Sequence, residues 1–559
     1  MLRDYKKIFW TVFFLILLIR VWGLPGAELR HDAALNSMRA VGWLDFLVGQ
    51  GQTTPLVWFG EVPWWANLSF HDHPPLSFLL QHVSFRIFGD RTFVAFLPFV
   101  IAGVLGGYVL YRLLTRAAGK AEALLGMALF GFSSYLLWAQ RAGYLEGLSI
   151  LFIVAATWWI WRYAQDRNGK FLYFWSLVVA AALLTKYTAI FLLPAAWVFL
   201  FFYARTAFST RQFWLAHLLI LLLLSPVIFY NYQVFAARGH FDAAFSSMVG
   251  MSPEDFSTLS YRSLNTNFLG NLSSIWSAVK NNTSLPLLVG YIFALGLVIG
   301  EGIVYRRGTA LNTLALLNLI FVVAMFSFSG AADRFVVILV PFLIILLFGA
   351  FLRAKNIFPS VVSGKVMLSG VAVLLLFELA FSINTNLLAS PLGSPPHTYS
   401  PARFASAGYE TLDRFFRQQV FAELPSPRRI SRLTKDVLYH DLRGKEAIIF
   451  DERADWFSRV WYVDRYKYYY SLPFVYLTDI SEAVEEKGQV DPFDYLRAAG
   501  VRGFWVVVAD GDNRQIGKSP EFDQFFAVLS ANLEENGIMP VKKITGPAGQ
   551  SLFKVYHFQ

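Results

Sequence analysis

Apolar residues run in long, nearly uncharged stretches through the first two thirds of the chain, and polar residues collect between them. The stretches lie at about 8–24, 93–114, 121–139, 144–163, 171–185, 187–204, 213–231, 284–305, 311–328, 335–352 and 366–386. Most approach the roughly 20 residues that a helix needs to cross a bilayer. With so few charges, each satisfies its backbone as a helix inside lipid. The pattern predicts a polytopic α-helical membrane part of about eleven spans over residues 1–386. The first run follows Arg3, Lys6 and Lys7, as the core of a signal peptide would. No small-x-small cleavage site follows it, which favours a retained helix.

The turns between runs alternate in character. Arg112, Arg116 and Lys120; Arg162, Arg167 and Lys170; Arg205 and Arg211; Arg306 and Arg307; and Arg353, Lys355 and Lys365 all fall in every second turn. The positive-inside bias puts these turns and the N-terminus in the cytoplasm. An odd number of spans then puts everything after about residue 387 outside, at a cytoplasmic (inner) membrane. The opposite turns include two long loops, 25–92 and 232–283. In the first, Ala34, Leu35, Met38, Val41 and Leu44 stand at helical spacing, which predicts an amphipathic helix along the membrane surface. A second helix starts after Pro74-Pro75 and runs through Leu79, His82, Val83 and Phe85. Loops of this size suit a reaction chamber on the outer face.

Past residue 387 the pattern changes. A Ser/Pro-rich linker, SPLGSPPHTYSP, gives way to frequent charges and short apolar runs. EAIIF, PFVYLTDI, GFWVVVAD and LFKVYHF read as buried strands, with helical stretches at 481–487, 492–499 and 520–536 between them. Strand–helix alternation predicts a soluble α/β domain over 387–559. No glycine-rich loop follows any strand, which argues against a nucleotide site there.

Composition strengthens the membrane reading. Only 15% of the 559 residues are charged and 56% are hydrophobic, against roughly a quarter charged in soluble domains. The net charge of +10 would suit nucleic acid, but the basic residues sit between apolar runs and serve as topology determinants. Cysteine is absent, so disulfides and thiolate metal sites are excluded.

Ionisable residues near the outer ends of the spans carry the candidate chemistry, because burying them beside lipid is costly unless they pair or work. Asp32, in GAELRHDAALN beside Glu28, reads either as a helix N-cap or as a general base facing the chamber. Glu146, five residues after Arg141, is either an interfacial partner of that arginine or a second carboxylate orienting an acceptor hydroxyl. His71, Asp72 and His73 precede Pro74-Pro75. They form a rigid turn or, as a weaker alternative, ligands of a divalent metal. Lys186 and Arg334 are either interfacial anchors or phosphate ligands. The two sets make two poles, one for a phosphate and one for a hydroxyl.

In this arrangement the chain resembles the membrane glycosyltransferases of the GT-C superfamily, in particular the protein O-mannosyltransferase and aminoarabinose-transferase branch. Asp32 stands where that family has an Asp after the first helix, though Ala33 replaces a frequent Glu. His73-Pro74-Pro75-Leu76 matches its His-Pro-Pro-Leu segment, and Arg141 with Glu146 its Arg and acidic residue at the fourth span. Leu184-Thr185-Lys186 matches a Leu-Thr-Lys, and Arg334-Phe335 with Pro341 a late Arg-aromatic, with Phe where Tyr is frequent. The resemblance implies transfer of a sugar from a polyprenyl-phosphate donor to a hydroxyl of a lipid, protein or cell-wall glycan, with inversion. It implies phosphate contacts from Lys186 and Arg334, and Asp32 assisted by Glu146 on the acceptor. Glu28, Arg141, His71, Asp72 and His73 would line the substrate cavity. No cofactor is required, with a divalent ion at His71–His73 as the alternative. A transporter or flippase would predict internal repeats and mid-membrane charges, which the sequence lacks. A non-catalytic glycan-assembly protein is a second alternative. An oligosaccharyltransferase would call for a tryptophan-rich sequon-reading motif, whereas Trp456, Trp461 and Trp505 stand apart.

Overall fold

A computed structural model describes the chain except for Met1 and residues 48–50, 258–266, 306–308, 358–363, 404, 422–423, 425, 429, 431–441, 480–490, 514–519 and 548. All eleven apolar runs fold as helix. Seven described helices are long and apolar enough to cross a membrane: Tyr5–Gly26, Thr92–Ala117, Leu145–Asp166, Arg211–Arg238, Ala310–Ser329, Asp333–Ala354 and Leu368–Asn386. Lys120–Phe132 and Ser134–Arg141 form an eighth if a 50° bend between them lies within one span. The remaining runs give the shorter helices Lys170–Thr185, Tyr187–Tyr203 and Leu285–Gly300. At 1.5 Å per residue, a helix the length of Lys170–Thr185 rises about 24 Å, short of the ~30 Å hydrocarbon core. The eleven helices are therefore present, and seven or eight among the described residues have the length and composition of a full crossing. Arg306 and Arg307 lie outside the described residues.

The chain is a multi-pass membrane protein. Its helices bury a continuous apolar core, in which Leu145–Asp166 packs between Thr92–Ala117 and Lys170–Thr185. Large apolar side chains such as Phe14, Leu18, Leu221, Leu222 and Ile228 stay exposed on the bundle's outside, the position lipid would occupy.

The amphipathic segment in the first long loop forms the helix His31–Gly42, but it does not lie open on a surface. Ala34, Met38 and Val41 on its apolar side, and the charged Arg39, are all buried. The helix is roofed by the C-terminal domain. Its apolar side joins one core with Trp461, Tyr462, Tyr466 and Tyr469, and the Tyr469 hydroxyl donates to the Met38 carbonyl at 2.9 Å. The second loop helix, Leu76–Phe88, leaves Leu79, Val83, Ile87 and Phe88 exposed along one side, as an interfacial helix does.

The small sheet follows the sequence expectation in three of its strands. β1 (Glu446–Phe450), β2 (Phe474–Val475), β3 (Gly503–Ala509), β4 (Lys542–Thr545) and β5 (Ser551–Phe558) pair in the order β2-β1-β3-β5-β4. β1 pairs in parallel with β2 and β3, while β5 runs antiparallel to β3 and β4. The segment PFVYLTDI contributes only the two residues of β2. Its next turn is a short 3-10 helix at Leu477–Asp479. β4 escapes a hydrophobic reading because only Ile544 in its KKIT sequence is buried. Helices Pro492–Ala498 and Pro520–Glu535 match the expected stretches, and 481–487 lies outside the described residues.

The domain is moored to the bundle at several points. Trp461 Nε1 donates to Thr92 at 3.0 Å, the Leu29 amide donates to the Tyr462 hydroxyl at 3.1 Å, and Arg30 reaches the Ala405 carbonyl at 2.9 Å. Sheet, first-loop helix and span ends thus share one layer at the same end of the bundle.

Candidate active site

Four charged residues meet at this end, each delivered by a different element. His31 holds a left-handed φ of 52°, an uncommon conformation for a non-glycine residue, where the chain turns into its helix. Asp32 follows in the first turn. Its carboxylate lies 2.5 Å from the guanidinium of Arg334, which stands in the short helix Asp333–Val336. Glu146 occupies the first turn of Leu145–Asp166 and is ion-paired with Lys186. Lys186 is extended, with φ −160° and ψ 129°, at the break between Lys170–Thr185 and the 3-10 turn Tyr187–Phe191. The break lets a lysine between two apolar helices turn its ammonium group toward the cluster.

Phe335 joins the two pairs. Lys186 Nζ lies 3.8 Å from its ring centroid and the Arg334 guanidinium 4.8 Å from it. Arg334 also stands 5.8 Å from the ring of Tyr144. A ring face attracts cations more strongly where water is excluded, so Phe335 serves this purpose without the hydroxyl of a tyrosine. The pairs differ in depth. The Asp32 and Arg334 side chains are 32% and 24% exposed, and those of Glu146 and Lys186 only 2% and 10%. One pair faces the solvent and the other lies beneath it.

The geometry departs from the arrangement of two poles. Each carboxylate sits on a cation, and both cations lie against the Phe335 ring. Asp32 is not a side-chain N-cap, since the position before the helix is Arg30, without a side-chain capping bond. Glu146 pairs with Lys186 rather than with Arg141.

The other residues singled out in the sequence have partners elsewhere. Glu28 accepts hydrogen bonds from Ser406 Oγ at 3.1 Å and the Ala407 amide at 2.8 Å, which ties the first loop to the C-terminal domain. Arg141 donates to the carbonyls of Ile19, Arg20 and Trp22, closing the end of the first helix as a cation does at a helix C-terminus. His71 receives Asp45, with Nδ1 2.7 Å from one oxygen and its amide donating to the other at 2.7 Å. Asp72 accepts both hydrogen bonds from Arg39 Nη1, at 2.9 and 3.1 Å, and lies 3.0 Å from His73 Nδ1. Burial opposes the charge on Asp72, but Arg39, His71 and His73 hold its carboxyl well below the usual range. Among the described residues no three His, Asp or Glu side chains are grouped so as to hold a metal ion. Around Asp72 the nearest cation is already Arg39.

Sequence reasoning singled out His71, Asp72 and His73 but missed their partners Arg39 and Asp45. Arg39 follows Asp32 by seven residues, two helical turns, so the two share a face, and that spacing was the available signal. Asp242 caps a short helix through the Phe245 amide at 2.8 Å and accepts from Asn231 at 2.9 Å and Tyr187 at 2.9 Å. Burial pushes its carboxyl up despite these bonds. Tyr187 follows Lys186 directly, so the Asp242 cluster fixes the break that carries the lysine.

Comparison with known proteins bears on the same region. Residues 72–230 match the family described as dolichyl-phosphate-mannose-protein mannosyltransferase. The crystal structure of ArnT from Cupriavidus metallidurans in the apo state superposes with a TM-score of 0.53 at 12% identity, covering 99% of this chain and 98% of that one. The chain shares the fold of that structure. Among curated proteins, the putative mannosyltransferase YkcB of Bacillus subtilis (strain 168) is 29% identical over 142 residues, which are 25% of this chain and 19% of that protein. An uncharacterised protein of Aquifex aeolicus (strain VF5) is 26% identical over 187 residues, 33% of this chain and 34% of that one. The chain thus matches about a fifth to a third of the length of these curated relatives. The family match begins at Asp72 and takes in Glu146 and Lys186, but not Asp32 or Arg334.

Proposed function

We propose that the chain is an inverting glycosyltransferase that moves a sugar from a polyprenyl-phosphate donor to an acceptor hydroxyl on the outer face of the cytoplasmic membrane. The observation that carries this reading is the convergence of Asp32, Glu146, Lys186 and Arg334 around Phe335 at the end of the bundle where the C-terminal domain docks. A dolichyl phosphate is a polyprenyl-type carrier, and the family matched over residues 72–230 is described by such a donor.

The chemistry follows from charge. A phosphate leaving group departs as an anion, so it needs cations placed in advance rather than a proton. Lys186 and Arg334 are those cations. When the donor phosphate draws them, Asp32 is released from Arg334 and faces the acceptor. The acceptor oxygen attacks the anomeric carbon from the side opposite the phosphate, its proton passes to the Asp32 carboxylate, and the bond from carbon to phosphate oxygen breaks. Polyprenyl phosphate leaves with the bonding electron pair. Glu146, buried beneath, holds Lys186 in position and balances its charge. The cationic pair supplies the stabilisation, so the proposal assigns no metal.

Asp32→Asn tests it. The variant should remain folded and inserted, and transfer from the polyprenyl-phosphate donor should fall by about 10²–10⁴-fold, the usual contribution of a general base. Turnover at the wild-type level would remove Asp32 from the mechanism.

A further inference from the structure

The last span carries a buried acid whose contacts lead toward the cluster. Glu378 lies within Leu368–Asn386 and is fully buried. One of its oxygens accepts the Ser134 amide at 2.7 Å and the other the Ser284 amide at 2.9 Å. Both amides sit where a helix begins inside the protein: Ser134 just past the 50° bend, and Ser284 one residue before Leu285–Tyr305. The first amides of a helix have no partner in their own helix, and here both residues are buried. A carboxylate supplies an acceptor to each. Asn386 Nδ2 adds contacts to the Ser134 carbonyl and hydroxyl oxygens at 3.3 Å.

The helix so anchored, Ser134–Arg141, carries Tyr135 in its first turn. Tyr135 is fully buried, and its hydroxyl donates to the backbone carbonyl of Asp333. Arg334 is the next residue and Phe335 the one after. The path Glu378, Ser134, Tyr135, Asp333 thus joins the last span to the segment that bears one phosphate ligand and the ring shared by both.

We infer that Glu378 is a positioning residue for donor binding: it pins the bend at Ser134, so that Tyr135 holds the Asp333–Phe335 segment against Lys186 and Asp32. This rests on the reading of Arg334 as a ligand of the donor phosphate. Glu378 touches no reacting atom in that reading. Glutamine is nearly isosteric but has one acceptor oxygen, so Glu378→Gln sets an NH₂ group against one of the two amides. Tyr135→Phe leaves both amides satisfied and removes only the link to Asp333.

The chain has no cysteine, so Ala332→Cys, at an exposed position two residues before Arg334, carries a single spin label on the full-length protein in nanodiscs. Two readouts are taken in Glu378→Gln and in Tyr135→Phe: the label's line shape, and the Kd for polyprenyl phosphate alone. The label should become more mobile in both variants. The Kd should rise about fivefold in Tyr135→Phe, the factor matching one hydrogen bond's net contribution, and further in Glu378→Gln, with thermal unfolding of Tyr135→Phe close to wild type. A label equally immobile in both variants overturns the inference, whatever the chain transfers. A mobile label with unchanged affinity upholds the positioning path and overturns Arg334 as the phosphate ligand instead. Where Glu378→Gln does not insert stably, Tyr135→Phe decides alone, because it cuts the same path one link nearer Arg334.

Discussion

At the scale of residues, the cluster is built from opposite charges that one aromatic ring keeps together. Lys186 lies under cover and Arg334 at the rim, so the two play unequal parts. A buried ammonium that loses its phosphate returns to Glu146, whereas the guanidinium returns to Asp32. Lys186→Met should therefore raise the donor KM at least about tenfold while leaving the acceptor KM close to wild type, since a hydrogen bond to a charged group is worth roughly 1.5–3 kcal/mol. Steady-state kinetics with each substrate varied in turn measure this, and equal changes in both KM values would remove the lysine from the phosphate site. Glu146, Lys186 and Arg334 were legible in sequence as ionisable residues at the ends of apolar runs, and Asp32 as an acid in the loop that follows the first run. Their pairing was not, because a sequence places residues at a depth in the bundle without saying which neighbour faces which.

At the scale of elements, the helix His31–Gly42 and the helix Tyr409–Gln419 on the C-terminal domain meet across a layer that holds several buried charges. Glu410, in the first turn of the latter, has its carboxyl pushed up to about 7 by burial, with Asp413 adding to the rise. Its folded value lies above the ordinary 4.5, so the folded protein binds this proton more tightly than the unfolded chain does. The stabilisation is complete below about pH 4.5 and is lost as pH rises through 7. Glu410→Gln should flatten that loss and, above pH 7, raise stability by up to about 3 kcal/mol, the size of such a shift at 1.36 kcal/mol per unit. Thermal unfolding from pH 5 to 9 checks it, and parallel pH profiles for variant and wild type would contradict it. This layer was hard to foresee. Arg465-Tyr466-Lys467-Tyr468-Tyr469-Tyr470 reads as a polar, aromatic stretch, yet all six residues are buried. The Arg465 guanidinium lies 3.9 Å from the Trp461 ring and bonds Asp413 at 3.3 Å, so the domain interface absorbs charge that would otherwise mark an exposed loop.

At the scale of the whole molecule, each of the eleven apolar runs found by hydropathy is helical, because an uninterrupted apolar stretch has few alternatives to a helix in lipid. Hydropathy did not show which of these runs keep the full length of a crossing. The bend at Ser133 breaks a run, 121–139, that looks continuous, and Lys186 stands at a break between two runs; both breaks serve the cluster, one anchoring Tyr135 and the other presenting a lysine. In the C-terminal domain β1 and β3 were legible as buried runs, whereas β4 depends on pairing with β5 rather than on its own burial. The proposed orientation puts this domain and the cluster outside the cytoplasm. A reporter fused after residue 400 should then be active only there, and cytoplasmic activity would invert the topology. The central claim is tested most directly by giving the purified full-length protein, in nanodiscs, polyprenyl-phosphate mannose together with total membrane lipid and protein as acceptors, and following the anomeric carbon. The account predicts release of polyprenyl phosphate matched one to one by a glycoside of inverted configuration, absent in Asp32→Asn. A product that retains the donor's configuration, or equal release by Asp32→Asn, would contradict it.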